Sequence, residues 1–369
     1  MLPGIIVLLA TLLVLVVQYQ IEDAFKVLKV HGGLPVHMDL RWSKRAAWLL
    51  LIVTGLMMIV PSGVFTPGSS DPALLPQLAT FSDDGSWTGP DTSRLALLED
   101  GSEERIRYGR ELIARTSAYL GPKGSVAKLS NGMNCQNCHL DAGTKPWGNN
   151  FGAVWSTYPK ERSRSGKVES IERRVNDCLE RSLNGRPLDS TSREMRAIVA
   201  YMEWLGTGIE RSKKPPGTGI MEIAYLDRAA DPELGRVVFE AKCSSCHNED
   251  GQGKLDMEGT TYLYPPMWGE HSYNHGAGLY RLSRFAGYVK ANMPQGSTHE
   301  HPLLTDEEAW DVAAFVNSQP RPEKDLTDDW PDISKKPIDH PFGPYVDHFN
   351  ETQHKYGPFG PIAAFYKKP

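Results

Sequence analysis

Apolar residues gather first in two unbroken runs, Leu2 to Val17 and Ala46 to Val60. At 1.5 Å of rise per helical residue, the first run reaches roughly 24 Å, close to a bilayer's hydrocarbon thickness once flanking residues join it. Lys26, Lys29, Arg41, Lys44 and Arg45 lie between the runs, and no Lys or Arg precedes the first. The positive-inside rule therefore predicts a hairpin of two transmembrane helices over residues 1–63, with a cytoplasmic basic loop. A cleaved signal peptide fits less well, because the basic n-region and the small-residue cleavage site are missing. Residues 64–100 turn rich in Pro, Gly, Ser and Asp and predict a linker.

The pattern then becomes helical and is used twice. In the first segment, residues 101–209, "EERIRYGRELIARTSAYL" and "SREMRAIVAYMEWLG" bracket a loop-rich middle. In the second, residues 232–319, "DPELGRVVFEAK" and "TDEEAWDVAAFVNS" do the same. Apolar residues recur near i, i+3 and i+4 in these stretches, and Asp306 and Glu307 fall in a first turn, where the helix dipole favours them. The expected fold is all-α, two small domains in tandem, with residues 210–231 as the connection between them. Residues 320–369 hold many prolines and aromatics without periodicity, which predicts an extension that covers the protein's own surface or meets a partner.

One further stretch, "SIERRVNDCLERSLNG", predicts a helix with Ser170 as N-cap and Asn184-Gly185 as its stop. Ile171, Val175, Leu179 and Leu183 make its buried stripe. Arg174, Cys178 and Ser182 are spaced by four and share one face.

Composition narrows the chemistry. A net charge of -5 over 369 residues gives no sign of a nucleic-acid partner. Of five cysteines, four sit in two Cys-x-x-Cys-His boxes: Cys135, Cys138 and His139, then Cys243, Cys246 and His247. That pentapeptide is the signal for covalent c-type haem, so two haem c groups are expected, with His139 and His247 as proximal ligands. Such haem is attached outside the cytoplasm, which places the haem domains in the periplasm of a bacterial inner-membrane protein. In the second domain, Met293 in "ANMPQG" stands where a small cytochrome c presents its distal methionine. His271, His275, His299, His301 and Met267 are the nearby competitors. The first domain has no equivalent: Met133 is too close to the haem box, and Met195 and Met202 belong to the closing helix. It offers Cys178 instead, although a lone cysteine on such a stripe also serves as a small buried hydrophobe.

With "NCQNCH", "RSRSGKVESIERRVNDCLERSLNG", "CSSCH" and "NMP" together, residues 100–320 resemble the thiosulfate dehydrogenase family, dihaem c-type cytochromes that join two thiosulfates into tetrathionate. The resemblance implies that Cys178 is the distal ligand of the first haem and the site of chemistry. It also implies that Arg164 and Arg174 bind substrate with Ser182 beside them, and that Met293 completes the second haem. The implied partners are thiosulfate or tetrathionate, and an electron acceptor that is a periplasmic cytochrome c or a membrane respiratory complex. The competing expectation is a membrane-anchored dihaem electron carrier with no substrate of its own. It explains the haem boxes but gives no reason for an arginine and a hydroxyl beside Cys178.

Overall fold

The structure, a computed structural model, describes residues 79–91, 93, 95 and 101–367. The expected hairpin over residues 1–63 lies outside the described residues. Among the described residues, no helix is long and apolar enough to cross a membrane.

Helices of eight or more residues are numbered in chain order: α1 Ser102–Ala114, α2 Ile171–Arg181, α3 Arg193–Leu205, α4 Pro232–Lys242, α5 Leu282–Asn292, α6 Asp306–Ser318 and α7 Phe359–Tyr366. Helix α1 buries Ile106, Gly109, Leu112 and Ile113 on one side and packs on α3, which buries Met195, Ala197, Ile198, Tyr201 and Met202. The approach is close: a β-carbon on Gly109 would sit 2.0 Å from the Ala197 carbonyl oxygen. Helices α4 and α6 repeat the arrangement, with Gly235 facing the Asp311 carbonyl oxygen at 1.9 Å by the same measure. Each domain is thus closed by its first and last helices crossing at a glycine.

Caps explain where these helices begin. Ser170 accepts from the Arg173 N–H and Ser192 from the Met195 N–H. Asp231 caps α4, while Thr305 and Glu308 cap each other's backbone at the start of α6 in a capping box. The stripe on α2 is buried as its spacing predicts: Ile171, Val175, Leu179 and Leu183 are all under 9% exposed.

The structure departs from the sequence expectation in four places. The expected long first helix breaks at Arg115 (φ -128°, ψ 41°), because the Thr116 hydroxyl donates to the Leu112 carbonyl at 2.7 Å and competes with the ladder. The fold is helix-rich rather than wholly α. Among the described residues, three two-stranded antiparallel ribbons interrupt it: β1 Ala79–Phe81 with β2 Trp87–Pro90, β3 Lys160–Arg162 with β4 Lys167–Glu169, and β5 Lys254–Leu255 with β6 Tyr262–Tyr264. The first ribbon falls within the stretch read as linker, and its Trp87 is fully buried. The middle of the second domain contains the helix α5, where the sequence pattern predicts a loop.

The segment between the domains is fastened rather than loose. Trp147 and Asn149 donate backbone N–H bonds to the Gly217 and Gly219 carbonyls at 2.7 and 2.8 Å, and Trp87 donates to Pro216 at 2.8 Å. The extension from residue 320 wraps both domains. Asp329 accepts two bonds from Arg181 at 2.8 and 2.7 Å in the first domain. Buried Asp339 accepts from Arg281 Nε at 2.8 Å in the second. Helix α7 then buries Phe359 and Ile362, with Phe359 5.5 Å from Trp310 between ring centres.

Candidate active site

Two cavities lie at the two haem boxes. The first box begins on a 3-10 turn, Cys135–Asn137, whose Asn134 cap also fixes the Ser117 N–H at 2.9 Å. His139 follows, its Nδ1 held by the Asn149 carbonyl at 2.5 Å. In the second box, His247 Nδ1 is held by the Pro265 carbonyl at 2.9 Å. Each anchor leaves Nε2 as the free ring nitrogen and fixes the ring's direction, the support a metal-ligating imidazole requires. Burial pushes the His139 imidazole down to about 4 and lowers His247 too, so both are neutral and able to ligate at neutral pH. None of the five cysteines is in a disulfide. Burial raises Cys135 to about 11, Cys138 to about 12 and Cys243 to about 11. Two Cys-x-x-Cys pairs, each followed by a neutral, anchored histidine, suit covalent attachment of haem c through thioethers. These residues fit two haem c groups.

The cavity of the second box holds about 460 Å³ and is mainly apolar. It is lined by Cys243, Cys246, His247, Phe285, Tyr288 and Val312, with Met267 and Met293 both on its wall. The competing histidines are elsewhere: His299 pairs with Asp84, and His275 stacks on Tyr280. Met267 lies two residues beyond Pro265, on the wall that anchors His247, whereas Met293 leaves the end of α5. Gln136 and Asn137, the middle of the first haem box, also line this cavity. Tyr288, on the same wall, donates its hydroxyl to the Asn137 carbonyl at 3.0 Å. The two haem sites therefore share a partition.

The first cavity is different in character. It holds about 580 Å³ and is polar. Cys138 and His139 line one side, while Arg174, Cys178 and Ser182 face it from α2. Arg174 Nη1 donates to Cys178 Sγ at 3.2 Å. The negative charge that the sulfur can carry is the first cause holding that guanidinium above its ordinary value. Arg164, from the β3–β4 turn, lines the same cavity and donates to the Gly276 carbonyl of the second domain at 3.0 Å. Burial, then the neighbouring Arg181, lowers Arg164 to about 10, which still leaves it charged at neutral pH.

All four expected residues of the first site thus open onto one cavity. Further cations line it that the sequence reading did not single out: Lys160, Arg162, Arg281, Arg284 and Lys335. Arg281 is neutralised by Asp339 at 2.6 Å, and Lys335 approaches Glu161 at 3.6 Å. Trp330 and Pro337 from the extension complete the wall. Only the Lys160-to-Arg164 run carried a sequence signal, a cluster of basic residues just before the helix. The others arrive from more than a hundred residues away.

The chain is similar to known proteins over both haem-box domains. Residues 125–210 match the family model "SoxA/TsdA, cytochrome c domain", and residues 232–320 match "Cytochrome c". The chain is 39% identical over 232 residues to a thiosulfate dehydrogenase of Allochromatium vinosum, covering 62% of this chain and 82% of that one. A thiosulfate dehydrogenase of Psychrobacter arcticus is 37% identical, with 66% and 71% covered. Among solved structures, the thiosulfate dehydrogenase TsdBA of Marichromatium purpuratum aligns with a TM-score of 0.59 at 29% identity. That alignment covers 65% of this chain and spans half the length of the other.

Proposed function

The chain belongs to the thiosulfate dehydrogenase family, and from that premise we propose that it oxidises two thiosulfates to one tetrathionate in the cavity of the first haem box. The observation that carries this reading is Cys178 Sγ, 3.2 Å from Arg174 Nη1, in a cationic cavity beside His139. Thiosulfate is a dianion, and two dianions 4 Å apart repel by roughly 4 kcal/mol even at the permittivity of water. A site that joins them needs fixed positive charge. Arg164 and Arg174 provide it as planar forks that match sulfonate oxygens, and the Ser182 hydroxyl adds a hydrogen-bond donor.

Cys178 divides the coupling into two steps. In the first, the Cys178 thiolate and the outer sulfur of one thiosulfate form an S–S bond with loss of two electrons, leaving a singly charged Cys-S-SO3 adduct extended by that sulfur. In the second, another thiosulfate attacks the same outer sulfur; the bond to Cys178 breaks, tetrathionate leaves and the thiolate returns. Arg174 pairs with the Cys178 thiolate at the start of the first step and again at the end of the second, and its charge faces the adduct between them.

When bound, the two haem c groups supply the one-electron acceptors that together take up the pair. His139 and Cys178 would hold the first, with Cys135 and Cys138 as its thioethers. His247 and Met293 would hold the second, with Cys243 and Cys246; Met293 is preferred to Met267, which shares the wall of the proximal histidine. A periplasmic cytochrome c or a membrane respiratory complex then receives the electrons.

Replacing Cys178 by glycine tests the reading. Turnover of thiosulfate by the purified holoprotein is expected to fall on the order of 10³-fold or more, with both haems still attached by mass. Activity close to that of the wild type would sink the covalent route.

A further inference from the structure

Arg164 is a buried cation with no close counter-charge at the place where the substrate would bind, Asp329 lying 3.9 Å away. It is buried next to a second guanidinium, Arg181, and its Nε has no hydrogen-bond partner among the described residues. Its Nη1 is anchored on the Gly276 carbonyl at 3.0 Å. Further contacts come from the C-terminal extension, more than 160 positions away in sequence.

Trp330 holds Arg164 at both ends. Its backbone N–H donates to the Arg164 carbonyl at 2.7 Å, while its indole ring lies 5.6 Å from the Arg164 Cζ as a cation–π partner. To do both, Trp330 adopts φ 64°, a left-handed conformation that bulky L residues avoid. Such a backbone persists only where surroundings over-determine it, and it marks places where geometry serves function. The turn just before it is closed by the Asp329 N–H, which donates to the Leu326 carbonyl at 2.9 Å. Asp329 then takes up the competing cation: it accepts two short bonds from Arg181 and lies 3.9 Å from Arg164 Nε. Arg181 is thereby engaged elsewhere, and Arg164 keeps its charge beside the cavity that Trp330 itself lines.

We propose that Trp330, assisted by Asp329, is a positioning residue that fixes the Arg164 guanidinium for a sulfur oxyanion dianion, so that the C-terminal extension is a working wall of the first domain's site. This rests on the thiosulfate reading of that cavity.

The test uses the full-length holoprotein with its haems pre-reduced by ascorbate, so that calorimetric titration with thiosulfate reads binding without turnover. Trp330→Phe keeps an aromatic face over Arg164, while Trp330→Leu fills space without one. The leucine variant is expected to bind thiosulfate about tenfold more weakly, the size of a desolvated cation–π contact, with phenylalanine within about twofold of wild type. Under oxidising assay conditions, KM should rise for Trp330→Leu by the same factor with kcat little changed. Melting temperature and haem content identify a variant that fails to fold; Trp330→Met then replaces leucine in the comparison. Equal affinity in the wild type and the leucine variant overturns the positioning role. A loss shared equally by leucine and phenylalanine overturns it too, since the ring face would then be irrelevant. If the wild type binds thiosulfate in a Trp330-dependent way yet forms no tetrathionate, the positioning role stands and the proposed reaction falls. A wild type that does not bind thiosulfate removes both.

Discussion

At the scale of single residues, the site depends on pairing a sulfur with a guanidinium that cannot lose its charge. Arg174 stands one helical turn before Cys178, so α2 delivers both without help from the rest of the fold. Replacing Arg174 by glutamine should raise the KM for thiosulfate roughly tenfold or more, the range for losing a charge-assisted hydrogen bond. The same variant should show a flatter dependence of kcat/KM on ionic strength, because one fixed cation has gone. Unchanged kinetics across a salt series would remove Arg174 from the binding site. This half of the site was legible in the sequence, since i, i+4 spacing on a capped helix puts side chains on one face. Arg281, Arg284 and Trp330 were not legible, because only tertiary contact brings them to the cavity and no local period encodes that.

At the scale of elements, the two domains are built on the same crossing. Gly109 lets α1 rest on the backbone of α3, and Gly235 lets α4 rest on α6. Gly109→Ala would drive a methyl group into the Ala197 carbonyl, an overpacking expected to cost roughly 1–3 kcal/mol. Thermal unfolding of the first domain, followed through near-UV dichroism, should shift down accordingly; an unchanged midpoint would mean that the helices can slide apart freely. The four bracketing helices were legible because they are amphipathic, and three of them, α3, α4 and α6, begin on a side-chain cap. Helix α5 was missed for the opposite reason. Leu282, Phe285, Ala286, Gly287, Tyr288, Val289, Ala291 and Asn292 are all buried, which leaves only Ser283, Arg284 and Lys290 as a narrow polar face, and it contains a glycine besides. A helix buried on most sides carries no 3.6-residue contrast to detect.

At the scale of the whole molecule, the extension turns two domains into one unit and adds a pH-sensitive point of its own. His340 is buried, with its ring centre 5.7 Å from that of Trp330. Burial, then Lys336, and further Arg164 and Arg281, push its imidazole down from 6.5 to about 4. The folded form therefore favours neutral His340. Its contribution to stability is complete above about pH 6.5 and is lost as the pH falls toward about 4. His340→Gln should lack that contribution, so the gap in unfolding free energy between wild type and variant should shrink by at most about 3 kcal/mol on acidification. A gap that stays constant from pH 7 to pH 4 would count against a neutral, buried imidazole. The wrapping itself was only half legible. Prolines and aromatics without periodicity announce a segment that lies on something, but the thing it lies on is set by Asp329, Asp339 and Phe359 finding partners in both domains.

That wrapping has a consequence for biosynthesis. The first domain's cavity borrows its far wall from residues 330–337, so a ribosome that has already released α1, α2 and the first haem box has still produced an unfinished pocket. The cavity gains that wall only when the downstream segment has been made and has folded back across it.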